Sequence, residues 1–148
     1  MKSIKRLIFA AAALLSLAAF SSCTKASKTY EELLIGDWNI TQWSYLKDGE
    51  ESTYKEDVLE KAGKHSIKYS AGTLVISLTD QIITYDMSIP NLGNVVEYDQ
   101  PIYGTFTQKG TSQACAGSIK FSSRSSLEIV IAESNNNGSV FTCEKKWL

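Results

Sequence analysis

This sequence predicts an all-β fold: a closed antiparallel up-and-down barrel of about eight strands, with one short covering helix between the first two. Three observations lead there. From residue 73 onward apolar residues recur at every second position, as in Leu74, Ile76, Leu78 and in Ile83, Tyr85, Met87, Ile89. The segments that alternate are joined by short turn signals, so consecutive strands fall naturally into hairpins. A glycine and a tryptophan, Gly36-Asp37-Trp38, open the first strand and supply a sharp turn and a large apolar plug for one end of a core. Closing such a meander removes the exposed edges it would otherwise present. An open sandwich is the competing arrangement.

The first 22 residues stand apart from that domain. Lys2, Lys5 and Arg6 form a basic start, 7–20 is an almost unbroken apolar run, and the small residues Ser21 and Ser22 follow. This is the pattern of a secretory signal peptide, too short and wrongly flanked for a transmembrane span. The segment Phe20-Ser21-Ser22-Cys23 resembles a bacterial lipobox. That resemblance implies a lipoprotein in which Cys23 becomes the acylated N-terminus, with palmitate-type chains as the membrane anchor. The alternative is an ordinary cleavage site beside a chance cysteine. Several chains, at about 0.8 kcal/mol per buried methylene, hold firmly where one myristoyl chain does not. The expected organisation is a leader over 1–22, a lipidated cysteine and tether over 23–32, and a barrel domain over 33–148.

Charge narrows the partners. Of 15 Lys and Arg residues three leave with the leader, so 12 cations face 16 Asp and Glu in the mature chain. This excess of acid speaks against nucleic acid and against a polybasic membrane patch.

The elements come in order. Residues 24–28 read as a polar tether, and Thr29-x-x-Glu32 is a capping box ahead of Leu33, Leu34 and Ile35, so one helical turn is expected there. The first strand, 37–46, carries Trp38 and Ile40 on one face and Trp43 and Tyr45 on the other phase. Either a bulge at Gln42 shifts the phase or both faces are partly covered. Asp48-Gly49 ends it. A second capping box, Thr53-x-x-Glu56, with Tyr54, Val58 and Ala62 every fourth residue and Gly63 in the C-terminal cap position, predicts a helix of about ten residues over 53–63. Strands are then expected around 73–78, 83–89, 95–98, 102–106, 115–121, 127–131 and 140–147. Asn135-Asn136-Asn137-Gly138 predicts a tight hairpin turn with positive backbone angles. Asn137-Gly138-Ser139 also matches a glycosylation acceptor, read here as turn chemistry only because of the bacterial-type leader.

No enzyme constellation is legible. His65 is the only histidine and nothing nearby makes it a general base. One histidine and two separated cysteines form no recognised metal pattern, and no cofactor loop or nucleophile elbow is present. Cys115 and Cys143 fall on the apolar phase of strands expected to lie two apart, about 9–10 Å, beyond the usual bridging distance, so they are expected as free thiols.

Three stretches together carry a wider resemblance: Leu34-Ile35-Gly36-Asp37-Trp38, then Gly104-Thr105-Phe106 followed by Lys109-Gly110, and a closing hairpin from Leu127-Glu128-Ile129-Val130-Ile131 to Phe141-Thr142-Cys143-Glu144-Lys145-Lys146. With Cys23, they resemble the lipocalin-like lipoproteins of Bacteroidetes-type bacteria. The resemblance implies that Trp38 packs across a closed barrel base beneath a basic side chain, Lys145 or Lys146, as a plug and not as a ligand residue. It implies a small hydrophobic ligand in the barrel interior, with Tyr85, Met87, Phe106, Ile119 and Phe141 as candidate lining residues. Gly104 and Gly117 leave space on that phase, whereas the many large inward side chains fill it. A filled barrel would instead serve as a protein-interaction or inhibitor module, with Trp43, Tyr45, Tyr98 or Tyr103 on an exposed patch. Lys25 and Lys28, standing where surface-exported relatives carry acidic residues, imply an outer-membrane anchor facing the periplasm.

Overall fold

The computed structural model describes residues 27–48, 50–56, 65–79, 81–133 and 137–147, and for 51–56 the backbone alone. The leader, Cys23 and the lysine at 25 lie outside the described residues. The fold is a closed antiparallel up-and-down barrel of eight strands. These are β1 (Gly36–Lys47), β3 (Ser66–Ser70), β4 (Thr73–Ser77), β5 (Ile82–Ser88), β6 (Ile102–Gln108), β7 (Ala114–Ser123), β8 (Ser126–Ala132) and β9 (Gly138–Lys145). Each pairs with the next, and β9 returns to β1 from Trp38↔Lys145 to Leu46↔Gly138, closing the ring. A further strand, β2 (Glu50–Glu56), folds back on the outer half of β1.

One short helix, α1 (Tyr30–Leu34), precedes β1. Thr29 caps it: its hydroxyl accepts from the Glu32 N–H, and the Glu32 carboxylate accepts from the Thr29 N–H. Both bonds satisfy helix-end donors that would otherwise be orphaned, which is why the Thr-x-x-Glu pattern could be read directly.

The second capping box behaves differently. Its first residues, 53–56, are strand, so the helix expected between the first two strands does not begin there; 57–64 lie outside the described residues. The cause is tertiary. β3 covers only Gly36–Asn39 of β1, which leaves the outer half of β1 with open backbone groups, and Glu50–Glu56 pairs with them from Trp43 to Lys47. The strand expected at 95–98 is also absent. Pro90–Gly93 forms a 3-10 turn, and Val95 makes a single bridge to Thr29. The eighth barrel strand is β3, whose Ile67 and Tyr69 are buried between exposed Lys68 and Ser70, a period-2 signal present in the sequence.

The closing turn before β9 is partly outside the described residues. Gly138 itself does not use a positive φ; it stands opposite Ala132, and a Cβ there would strike the Ile131 carbonyl.

One end of the barrel is shut. Trp38 is fully buried, its indole N–H donates to the Leu34 carbonyl at 3.0 Å, and its ring lies 5.8 Å from Phe121, which in turn meets Tyr30 at 6.1 Å. The Lys145 ammonium sits 4.8 Å from the centre of the Trp38 ring and donates to the Ile35 carbonyl at 2.6 Å and the Leu33 carbonyl at 3.5 Å. A cation over an indole face, bonded to the last carbonyls of a helix, is favoured by both partners. Burial pushes the Lys145 ammonium below its ordinary value, with Asp37 acting the other way. Lys145, and not exposed Lys146, therefore takes the basic role. Gly36 makes room for it: its φ is +117°, and a Cβ would come 2.9 Å from the Lys145 nitrogen.

The middle of the barrel is filled. Phe106, Ile119, Phe121 and Ile129 are fully buried and Met87 is nearly so. The two glycines that suggest space in the sequence leave none: the Phe106 ring occupies what a Cβ at Gly117 would need, and Ile89 with the Ser88 carbonyl occupies that of Gly104. Glycine in a strand here marks close approach, not a void. Cys115 and Cys143, on β7 and β9 with β8 between them, are free thiols.

Candidate functional site

The other end is open. A cavity of about 280 Å³ lies there, at the mouth formed by the ends of β4, β6 and β8 and the starts of β5 and β9. Its position depends on a single irregularity in β1. The register against β9 slips between Ile40 and Gln42, so Thr41 is an extra residue, and its hydroxyl donates to the Thr142 carbonyl at 3.1 Å. Such a bulge reverses the phase of the remainder of the strand. Trp43, on the opposite phase from Trp38 in an unbroken strand, is thereby brought to the same interior. Of the two readings of the first strand, the bulge is the correct one.

Three kinds of side chain line the cavity. Ile76, Leu78, Ile83 and Ile131 make an apolar floor and sides; Trp43, Tyr85 and Phe141 are its aromatic members; Gln81, Gln108, Glu133 and Ser139 bring polar groups. The aromatic side is braced. Trp43 stacks on Phe141 at 5.8 Å with 24° between planes and meets Tyr45 at 5.3 Å, and Tyr85 packs edge-on against Phe106 at 6.1 Å. Phe106 is the link between the filled middle and the cavity floor.

Two polar groups on this wall have unusual states. The Trp43 indole Nε1 is buried and has no hydrogen-bond partner among the described residues; a buried donor left unpaired costs about 1–3 kcal/mol. The Tyr85 phenol is pushed up to about 12, by burial first and then by Cys115 and Glu133 nearby. It therefore stays protonated over the whole neutral range and keeps an O–H for donation. Burial also raises the Cys115 and Cys143 thiols, which holds both in the unreactive protonated form.

Of the five candidate lining residues, the structure brings Tyr85 and Phe141 to the cavity and places Met87, Phe106 and Ile119 beneath it in the packed core. Period 2 gives the face of a strand a residue occupies but not its height along the barrel, and height decides between core and cavity here. Trp43 belongs to an outer patch only if β1 runs unbroken; the alternation marks a phase break near Gln42, and the pairing with β9 shows that it is a bulge at Thr41. Gln81, Gln108, Glu133 and Ser139 lie at strand ends beside turns, where polar residues are ordinary. His65 is buried, with its Nε2 2.7 Å from the Thr79 hydroxyl, and does not line the cavity.

No protein-family model matches the chain, and no curated protein matches it. Among solved structures, a redesigned β-barrel is similar at 13% identity and a TM-score of 0.46, covering 80% of this chain and 96% of that one.

Proposed function

We propose that the protein is a lipid-anchored, periplasm-facing barrel of the outer membrane that carries one small, mostly apolar molecule in the cavity beside Trp43. The reading is of a binder, not an enzyme. It rests foremost on one observation: a recess of about 280 Å³ at the open end, walled by Trp43, Tyr85 and Phe141 and lined by both apolar and polar side chains. A compact ligand would bury its apolar body against Ile76, Leu78, Ile83 and Ile131 and meet the polar groups of Gln81, Gln108, Glu133 and Ser139. A volume of about 280 Å³ stands at the lower edge of the ~300–1,000 Å³ usual for ligand pockets, which favours a compact ligand over a long chain. The anchor is supported by the order of basic start, apolar run, small residues and Cys23.

Native mass spectrometry of the protein extracted from its own membranes tests both parts. The expected species begins at Cys23, carries acyl mass, and holds one further small mass that is released on unfolding. Trp43→Phe, which removes part of the aromatic wall, should weaken that ligand about two- to tenfold, the worth of one aromatic contact of ~0.5–1.5 kcal/mol. Bare protein in every preparation would sink the ligand reading, and an unacylated chain would sink the anchor.

A second reading, an interaction or inhibitor module, draws on Ile82 and Tyr103, 69% and 68% exposed on the barrel exterior. Co-purification of a stoichiometric protein instead of a small mass would favour it.

A further inference from the structure

We infer that the shut base of the barrel rests on the lipid surface that holds Cys23, so that the cavity opens away from the membrane. This orientation builds on the proposed lipid anchor and goes beyond it.

Four large apolar side chains stand exposed on segments that form the base: Ile35 at 51%, Val95 at 57%, Tyr98 at 47% and Trp147 at 66%. They come from different parts of the chain, and hydrogen bonds tie each segment to the same end. Ile35 is the C-terminal cap of α1, and its carbonyl accepts from Lys145. Val95 bridges Thr29, and the Val96 N–H donates to the Lys28 carbonyl. Tyr98 lies between Glu97, whose backbone exchanges hydrogen bonds with the Tyr30 hydroxyl, and Asp99, whose N–H donates to the Phe121 carbonyl. Trp147 comes after Lys146, whose N–H donates to the Asp37 carbonyl. Tryptophan and tyrosine exposed beside aliphatic residues match the chemistry of a membrane–water interface, where one part of the ring meets hydrocarbon and the other water.

The tether says what covers this end. Cys23 is four residues before Ser27, at most about 14 Å of extended chain at ~3.3–3.6 Å per residue, and the chain joins the base beside Val95. The cavity mouth is farther off: the seven-residue strands β5 and β6 span about 20 Å at ~3.3 Å per residue. The leash therefore presents the base to the bilayer before any other surface. Both signs of charge stand on the segments of the base (Lys28, Arg124 and Lys146 with Glu31, Glu32, Glu97 and Asp99). The surface it suits is accordingly zwitterionic, with contact made by the rings and not by net charge.

The test uses the protein purified from its membranes and returned to phosphatidylethanolamine–phosphatidylcholine vesicles in which part of the phosphatidylcholine carries brominated acyl chains. Bromine quenches a tryptophan that enters the interface. The chain has three tryptophans: Trp147 on the base, Trp38 inside it and Trp43 at the far end. The expected result is a loss of emission on bromination that is abolished in Trp147→Phe and kept in Trp43→Phe. Acylated protein with no bromine-dependent loss, or with a loss that disappears in Trp43→Phe, would overturn the orientation while leaving the anchor intact. A stoichiometric protein that shields Trp147 from bromine would overturn it as well. An unacylated mass would remove the anchor and this inference with it.

Discussion

The two ends of this barrel are built from the same material, a tryptophan on β1 facing aromatic neighbours, and they differ in what surrounds the indole. At the base Trp38 has its N–H on the Leu34 carbonyl, Lys145 above its face and Phe121 beside it. At the mouth Trp43 has Phe141 and Tyr45 for company and an N–H with no partner among the described residues. The two ends of one sheet thus differ in how completely their buried indoles are paired. A buried donor that is fully paired rigidifies, whereas an unpaired one marks a place still able to gain from a partner.

The sharpest way to break the contrast is at the base. Trp38→Ala removes the largest fully buried side chain, orphans the Leu34 carbonyl and strips Lys145 of its ring, and should cost about 3–5 kcal/mol. Chemical denaturation should show a lower midpoint, and an unchanged midpoint would mean that the plug is dispensable. Gly117→Ala probes the filled middle. The new methyl would meet the Phe106 ring and the Val130 carbonyl, and overpacking of that kind costs about 1–3 kcal/mol. Because Phe106 abuts Tyr85, the same variant should also change binding of the proposed ligand at the mouth.

Effects at the mouth itself should be smaller on stability. The Tyr85 phenol has its folded value raised from the usual 10 to about 12, so the fold favours the protonated form. That contribution is complete below pH 10 and is lost as pH rises from 10 through about 12, where the unfolded chain ionises first. Tyr85→Phe should flatten this part of the alkaline stability profile and leave the neutral region almost unchanged. An identical profile in the variant would show that Tyr85 does not govern it.

Much of the base could be read in the sequence and little of the mouth. α1 was legible because a capping box is a local device, complete within four residues. Trp38 as a plug and a lysine of 145–146 above it came from resemblance, and the structure chose Lys145 because only its side chain reaches back over Gly36. The helix expected over 53–63 failed at its first turn for the opposite reason. Its apolar spacing was local, but the open edge of β1 that captured Glu50–Glu56 was created by a strand pairing elsewhere.

Alternation of apolar residues and turn chemistry were enough to specify an antiparallel up-and-down barrel, because strand period and hairpin connection are properties of neighbouring residues. Where the interior is solid and where it is hollow was decided only by tertiary structure. That depends on the Thr41 bulge, which turns Trp43 inward, and on how deep each strand stands in the ring, which lets the Phe106 ring take the space beside Gly117 and leaves the mouth unfilled. Both are matters of register between strands, and register is set by pairing across the closed sheet, from β9 back to β1.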